Sequence, residues 1–318
     1  MANKTHSIKE VITSMTKEIT QDTTIEKMVP IFFDAESLMA QPEPLYRLDS
    51  TGHRYYYRFD KEGEPVFYTS VTTLIKNTLP TSPFLIKWLI AQGGDNGHIE
   101  AMERACYGTF LHIQCAQLLI DGKYDLDKLQ SKLIPYLASE NMPPERIKWT
   151  EELKKDILAF AQFIIDRKVK PLAIEICLYH PDDGYAGAID LVCGLDFNKK
   201  RIRAIIDLKS GRKGFYESHE VQLGAYREMF NIHFPNVKID KIFNWSPKAW
   251  KKSPTYNLQD QTDSKNIPKL PFLVELSKIE SDKRDDTVTV VSGNIDITKG
   301  IDINISEKTF IELVKENK

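Results

Sequence analysis

Little in this sequence announces a partner or a compartment. Across its 318 residues, 43 Lys and Arg face 45 Asp and Glu, so the net charge is −2 and no global basic excess marks a nucleic-acid binder. Contact with an anionic polymer has to come from local clusters instead. The four cysteines, Cys106, Cys115, Cys177 and Cys193, show no CxxC spacing, which excludes a zinc ribbon and a disulfide framework and predicts buried thiols in a reducing compartment. No apolar run is long enough to cross a bilayer, and the N-terminus lacks the apolar core of a secretory signal. The first arginine, Arg47, comes after Glu10, Glu18 and Asp22, which argues against an Arg-rich, acid-poor presequence. A cytoplasmic protein that meets no membrane is the expectation.

What is present is enough hydrophobic sequence, 42%, to build a real core. Residues 1–40 are polar, Thr/Lys-rich and weakly periodic, and read as a loose arm or short helices. From Tyr46 to Tyr68, aromatic and β-branched runs separated by Ser50-Thr51-Gly52 and Lys61-Glu62-Gly63 predict a β-meander, with a helix starting at Ser70 or Val71. Helical spacing recurs over 100–120 and 145–168. Strands are expected at 172–179 and 185–195, around the turn His180-Pro181-Asp182-Asp183-Gly184, and at 203–209; a helix over 218–230 and a strand at 239–245 follow. Beyond Trp250 the chain reads as more β, with a run at 287–305 broken by Gly293 and Gly300 and a short helix after Ser306. The expected organisation is an arm (1–40), an α/β domain (41–250) with a mixed central sheet flanked by helices, and a C-terminal β-rich extension (251–318) packed on it.

Period-two geometry puts Asp207 and Lys209 on one face of their strand, while Leu208 points away and leaves its main-chain carbonyl near the same edge. On the preceding strand, Asp190 shares a predicted face with Ala188 and Val192, and Glu175 lies between Ile174 and Ile176 on the strand before. Each acid alone fits a salt-bridged or edge-facing residue. Acids embedded in consecutive apolar strands repel one another unless a cation sits between them, and hard oxygen donors favour Mg²⁺ or Mn²⁺. His112 lies on a helix face with Gly108, Cys115, Ala116 and Leu119, where a lone histidine is usually a satisfied core residue. Gln222 and Tyr226 are one helical turn apart.

Taken in order, Gly108-Thr109-Phe110-Leu111-His112, Glu175, Gly187-Ala188-Ile189-Asp190, Ile206-Asp207-Leu208-Lys209-Ser210-Gly211 and Gln222-Leu223-Gly224-Ala225-Tyr226 resemble the motif series of the RecB-like branch of the PD-(D/E)xK nuclease superfamily. With Ser70-Val71-Thr72 and the helix through Trp88 upstream, the layout is similar to the mitochondrial genome maintenance exonuclease and to standalone phage and bacterial exonucleases. The resemblance spans about residues 65–246 and implies a restriction-endonuclease-like fold.

It further implies that His112, Asp190, Asp207 and the Leu208 carbonyl bind Mg²⁺, with Mn²⁺ as substitute, and that Glu175 helps through a water. Lys209 would orient or deprotonate the attacking water, and Gln222 and Tyr226 would position the DNA backbone. The implied activity is that of a DNA exonuclease in replication, recombination or repair. It would act on single strands or free ends, in a bacterial or phage-infected cell, with a single-strand-binding or recombination protein as partner. A flap or structure-specific endonuclease of the same fold is the alternative, and a catalytically silent DNA-binding protein the alternative of another class. With no cysteine after Cys193, no iron-sulfur cluster is expected, and without a GxxxxGK[ST] loop, no fused helicase. Ser70 and Thr72 are candidates for capping a helix or meeting phosphate, and Arg212 and Lys213 for phosphate contact. Phe215, Tyr216, Trp245 and Trp250 are candidates for stacking bases, beside the basic residues Lys248, Lys251 and Lys252; Lys199, Lys200 and Arg201 read as a charged hairpin tip.

Overall fold

The structure, a computed structural model, describes residues 24–41, 43–50, 53–91, 95–143, 148–212, 214–281, 287–296 and 300–316. The chain begins with strands β1 (Thr24–Met28) and β2 (Phe32–Phe33) and the single turn α1 (Ala35–Leu38), capped by Asp34, which accepts from the Ser37 amide. The expected meander follows as β3 (Leu45–Ser50), β4 (His53–Phe59) and β5 (Pro65–Ser70), antiparallel neighbours held in register by cross-strand aromatic pairs such as Tyr46 on Tyr57, 5.2 Å between centroids. Residues 24–40 are not the loose arm their composition suggested, since β1 pairs with β3 and β2 with a strand far along the chain, whereas residues 1–23 lie outside the described part.

Helix α2 (Val71–Thr78) leaves β5 directly, because the Ser70 hydroxyl accepts from the Thr73 amide at 3.0 Å and satisfies a first-turn donor. Then come α3 (Pro83–Ala91), α4 (Asp95–Asp121), α5 (Leu129–Ser139) and α6 (Thr150–Arg167). The periodicity predicted α4 and α6 but not α5. Pro135 disguises α5 as a break, yet it lies on the exposed side, and Leu129, Leu133 and Leu137 bury a stripe that outweighs the roughly 3 kcal/mol a helical proline costs.

The expected order of strand, strand, strand, helix, strand appears as β6 (Lys170–His180), β7 (Tyr185–Phe197), β8 (Lys200–Leu208), α7 (Glu217–His233) and β9 (Lys241–Pro247). β10 (Tyr256–Asp260) adds antiparallel to β9. Helix α8 (Leu270–Ser281) was not expected in the β-rich stretch read between Trp250 and Ser306, and it buries Leu270, Leu273 and Val274 in the core shared with α2 and α7. The chain closes with a hairpin, β11 (Thr287–Asp296) and β12 (Gly300–Thr309), and α9 (Phe310–Glu316).

In the described residues, β1 to β10 form one 10-stranded mixed sheet, in which only β5 with β7 and β8 with β9 run parallel. One face carries α2, α7 and α8; the other carries α4, α5 and α6. The feature that positions the site is a split. β5 meets β7 only at Thr69–Tyr185 and Ser70–Ala186, and β8 joins the same edge of β7 from Leu191 onward. Residues 187–190 therefore have no described strand beside them on that edge. β5 runs with β7 and β8 against it, so both strands reach the gap by their carboxyl ends, the place where diverging strands of an α/β sheet leave a crevice for ligands.

Candidate metal-dependent active site

Asp190 and Glu175 stand where β6 and β7 depart from regular alternation. Ile176 and Ile189, paired with each other, pack into the core beneath α7, yet Ile174 and Leu191, two residues further on, pair and pack under α4 and α6. A regular strand keeps i and i+2 on one face, so the alternation slips by one residue in both strands at Glu175 and Asp190. Glu175 carries the slip in its backbone, with φ of +54°, a left-handed conformation costly for a non-glycine residue and more often found at functional sites. This corrects the expected shared face of Asp190 with Ala188 and Val192, because Val192 lies in the core beneath α7 and Ala188 does not.

The end of β8 bends onto this slip. The Leu208 amide donates to Asp190 Oδ2 at 2.6 Å, a side-chain substitute for the missing ladder, so Leu208 meets the site through its N–H, whereas the expectation concerned its carbonyl. Lys209 stays attached to β9, its amide donating to the Trp245 carbonyl at 2.8 Å. Its Nζ lies 3.0 Å from Asp207 Oδ1, 2.9 Å from Asp207 Oδ2 and 3.1 Å from Gln222 Oε1. The Gln222 amide in turn donates to the Tyr226 hydroxyl at 2.6 Å. Asp207 is only 1% exposed, and behind it Asn244 Nδ2 donates to Oδ2 at 2.8 Å while Gln261 Nε2 donates to the Asn244 carbonyl oxygen at 3.1 Å. Asn244 and Gln261 were not anticipated. The signal was present, since Asn244 sits between Phe243 and Trp245 in an apolar strand, where a buried amide needs a partner.

Helix α4 supplies His112, whose Nδ1 lies 3.7 Å from Asp190 Oδ1. One turn earlier, Gly108 lets the helix approach the residue after Lys209: a Cβ there would sit 3.1 Å from Ser210 Oγ. Gly187 does the same for α7, since a Cβ would come within 2.9 Å of the Tyr226 ring. Ligand atoms of His112, Glu175 and Asp190 all lie within 4.8 Å of one another. Ligands on opposite sides of a divalent ion with bonds near 2.1 Å are about 4.2 Å apart, so these residues fit such an ion with a small contraction.

The electrostatics agree with that fit. Burial, then the charges of Asp190 and Asp207, push the Glu175 carboxyl up to about 8. Burial also raises Asp207, to about 6, against the attraction of Lys209. The Tyr226 hydroxyl is held well above its ordinary range by burial and by the same two aspartates. On the other side of Lys209, burial and the lysine's charge push His219 down to about 3, keeping it neutral. Without a cation the site holds more acid than it can ionise together.

Other expected contacts find partners inside the protein. Ser70 is 1% exposed and occupied as a helix cap, while Thr72 is exposed beside it. Arg212, a candidate for phosphate, forms ion pairs with Glu152 and Asp156. Trp245 is fully buried and unable to stack on a base, and Trp250 donates to the Lys155 carbonyl at 3.3 Å. Tyr216 remains exposed at the start of α7, next to His219. Lys213 lies outside the described residues.

No family model matches the chain, and no curated protein does either. No described helix is long and apolar enough to cross a membrane.

Proposed function

We propose that this chain is a metal-dependent nuclease that hydrolyses DNA phosphodiester bonds, acting from DNA ends as an exonuclease in replication, recombination or repair. The observation that carries the reading is the meeting, in one gap of the sheet, of the His112, Glu175 and Asp190 ligand atoms with the Asp207–Lys209–Gln222–Tyr226 chain. The order of α4, β6, β7, β8, α7 and β9, with β8 parallel to β9, supports the finer reading of a restriction-endonuclease-like core.

A divalent ion held by His112, Asp190 and Glu175, Mg²⁺ with Mn²⁺ as substitute, would supply positive charge at the phosphate and ease the ionisation of water; Glu175 takes the direct place expected of Asp207, whose oxygens are engaged by Lys209 and Asn244. The rest of the chemistry belongs to the chain's own groups. Asp207 and Gln222 hold Lys209 Nζ at the end of β8, where its ammonium would orient the attacking water or meet the developing charge on a phosphate oxygen. Asn244 and Gln261 hold the Asp207 carboxylate in the orientation that keeps Lys209 there. With Gln222 only 8% and Tyr226 only 4% exposed, their part is to fix Lys209 more than to touch DNA along its length.

The test is digestion of end-labelled single- and double-stranded DNA with Mg²⁺, Mn²⁺ or EDTA, comparing the wild type with Asp190→Asn and Lys209→Ala. Cleavage is expected in either metal, and its loss by about a hundredfold or more in each variant and in EDTA. Undiminished cleavage by either variant overturns the site. Equal cleavage of covalently closed circles would replace exonuclease by endonuclease, and metal-independent DNA binding without cleavage would make the chain a binding protein.

A further inference from the structure

Arg212, near Lys209 in the chain, belongs to a half-buried ionic cluster with no place in the chemistry above. Arg212, three residues after Lys209, reaches back to α6, where its two terminal nitrogens pair separately with Glu152 Oε1, at 2.6 Å, and with Asp156 Oδ1. Asp156 is 1% exposed, and its other oxygen accepts from the Tyr107 hydroxyl of α4 at 2.6 Å. Arg104, also on α4, pairs with Glu152 at 3.3 Å from the solvent side. Burial raises the Asp156 carboxyl, against the hydrogen bonds that Arg212 and Tyr107 donate to it.

Two facts set this cluster apart from ordinary surface pairing. First, it joins the segments that must be registered for the site to exist. Tyr107 lies on the helix that carries His112, Arg212 lies on the segment that carries Lys209, and Ser210 between them already touches the helix at Gly108. Second, an ion pair with one partner buried, as Asp156 is, is a poor device for stability, since apolar side chains of equal volume generally do as well or better, but it is a strongly directional one. A guanidinium fork between two carboxylates fixes both an angle and a distance, which a point charge does not.

We propose that Arg212, Asp156 and Tyr107 form a positioning brace that sets the distance between His112 on α4 and the Asp190–Asp207–Lys209 group on the sheet. Arg212 thus acts on the reaction through metal-site geometry, not by contacting DNA. The inference rests on the nuclease reading, and removing a partner is expected to cost what the loss of an outer-shell support costs a metal site, about ten- to a hundredfold in metal affinity or activity.

The experiment measures three quantities on the full chain: Mn²⁺ affinity by calorimetry, kcat and KM on a single-stranded oligonucleotide, and Tm. The variants are Arg212→Gln, Arg212→Lys, Asp156→Asn and Tyr107→Phe, with Arg104→Gln as the control at the exposed end of the cluster. Expected is a fall of about tenfold in both Mn²⁺ affinity and kcat for Arg212→Gln and Asp156→Asn, KM changed less than about twofold, partial recovery in Arg212→Lys, and little change in Arg104→Gln. Should Arg212→Gln fail to fold, Asp156→Asn and Tyr107→Phe carry the same expectation. A rise in KM with kcat and Mn²⁺ affinity intact would make Arg212 a phosphate contact, and a lower Tm with both intact would make the cluster merely structural; either overturns the proposal. A wild type that neither binds Mn²⁺ nor cleaves DNA removes the nuclease reading itself, whereas a wild type that does both while the variants match it removes only the brace.

Discussion

At the scale of single residues, the acid cluster is a place of conflict. Glu175 titrates near 8 in the folded protein but near 4.5 when unfolded. Between those values the folded state binds more protons than the unfolded chain, so stability contributed by neutral Glu175 is fully present below about 4.5 and is lost as pH rises through about 8. Glu175→Gln keeps the shape and removes the titration. In EDTA at pH near 8 it should therefore melt higher than the wild type, by about 1–2 kcal/mol after allowing for relaxation of a coupled group, while cleaving DNA poorly. Thermal melts across this pH range decide the matter. A variant no more stable than the wild type at the alkaline end would mean that Glu175 is not under repulsion, and saturating Mn²⁺ should narrow the difference by offering the acid a counter-charge.

At the scale of elements, the close approach of α7 to the stretch of β7 left open on one edge is the contact most open to a small change. A methyl group at Gly187 would collide with the Tyr226 ring and press on Val71, whose Cγ2 is 3.4 Å away. Gly187→Ala should cost about 1–3 kcal/mol of stability through overpacking, and should depress kcat further than stability alone explains, because Tyr226 anchors Gln222 and Gln222 anchors Lys209. Chemical denaturation paired with steady-state kinetics would show it; a stable, fully active variant would disconnect Tyr226 from Lys209.

The elements around that contact were legible because local signals agreed. The hairpin of β6 and β7 had its turn residues, β8 had alternation, and α7 had an apolar stripe, so spacing paired Asp207 with Lys209 and Gln222 with Tyr226 and put Asp190 on the neighbouring strand, while the meeting of the two pairs was an expectation of the motif resemblance. Three things were hidden. The slip at Glu175 breaks the period-two rule on which strand faces are read, and only long-range pairing reveals it. Helix α5 was masked by Pro135. The destination of Arg212 depended on α6 passing beside it, a tertiary fact with no mark in the local sequence, where a basic residue beside Lys209 reads as a phosphate contact.

At the scale of the whole molecule, the C-terminal hairpin and α9 act as a cap on the meander. Val288, Phe310, Leu313 and Val314 pack against Leu48, Tyr55 and Tyr57, far along the sheet from the acid cluster. A chain stopped after Ser281 uncovers that apolar face and should lose about 2–4 kcal/mol once the entropy of ordering the hairpin is set against the lost burial. Differential scanning calorimetry and light scattering would register a lower Tm and self-association, with Mn²⁺ affinity kept. Loss of Mn²⁺ affinity in a folded truncated chain would tie the cap to the site.

The split in the sheet also fixes how the meander is fastened to the rest. Along one margin the seam is only two residue pairs wide, Thr69–Tyr185 and Ser70–Ala186. Along the other, the first described residues make a strap, with β1 on the meander and β2 on β6. Sliding along the strands would shear every ladder bond of the strap together, whereas tilting about the short seam disturbs few. Under the proposed nuclease reading, a strand would enter between β5 and β8, where the wall formed by β3, β4 and β5 is laddered to β7 by those two pairs alone and the packing of Tyr68 on Tyr179 carries the rest of the joint.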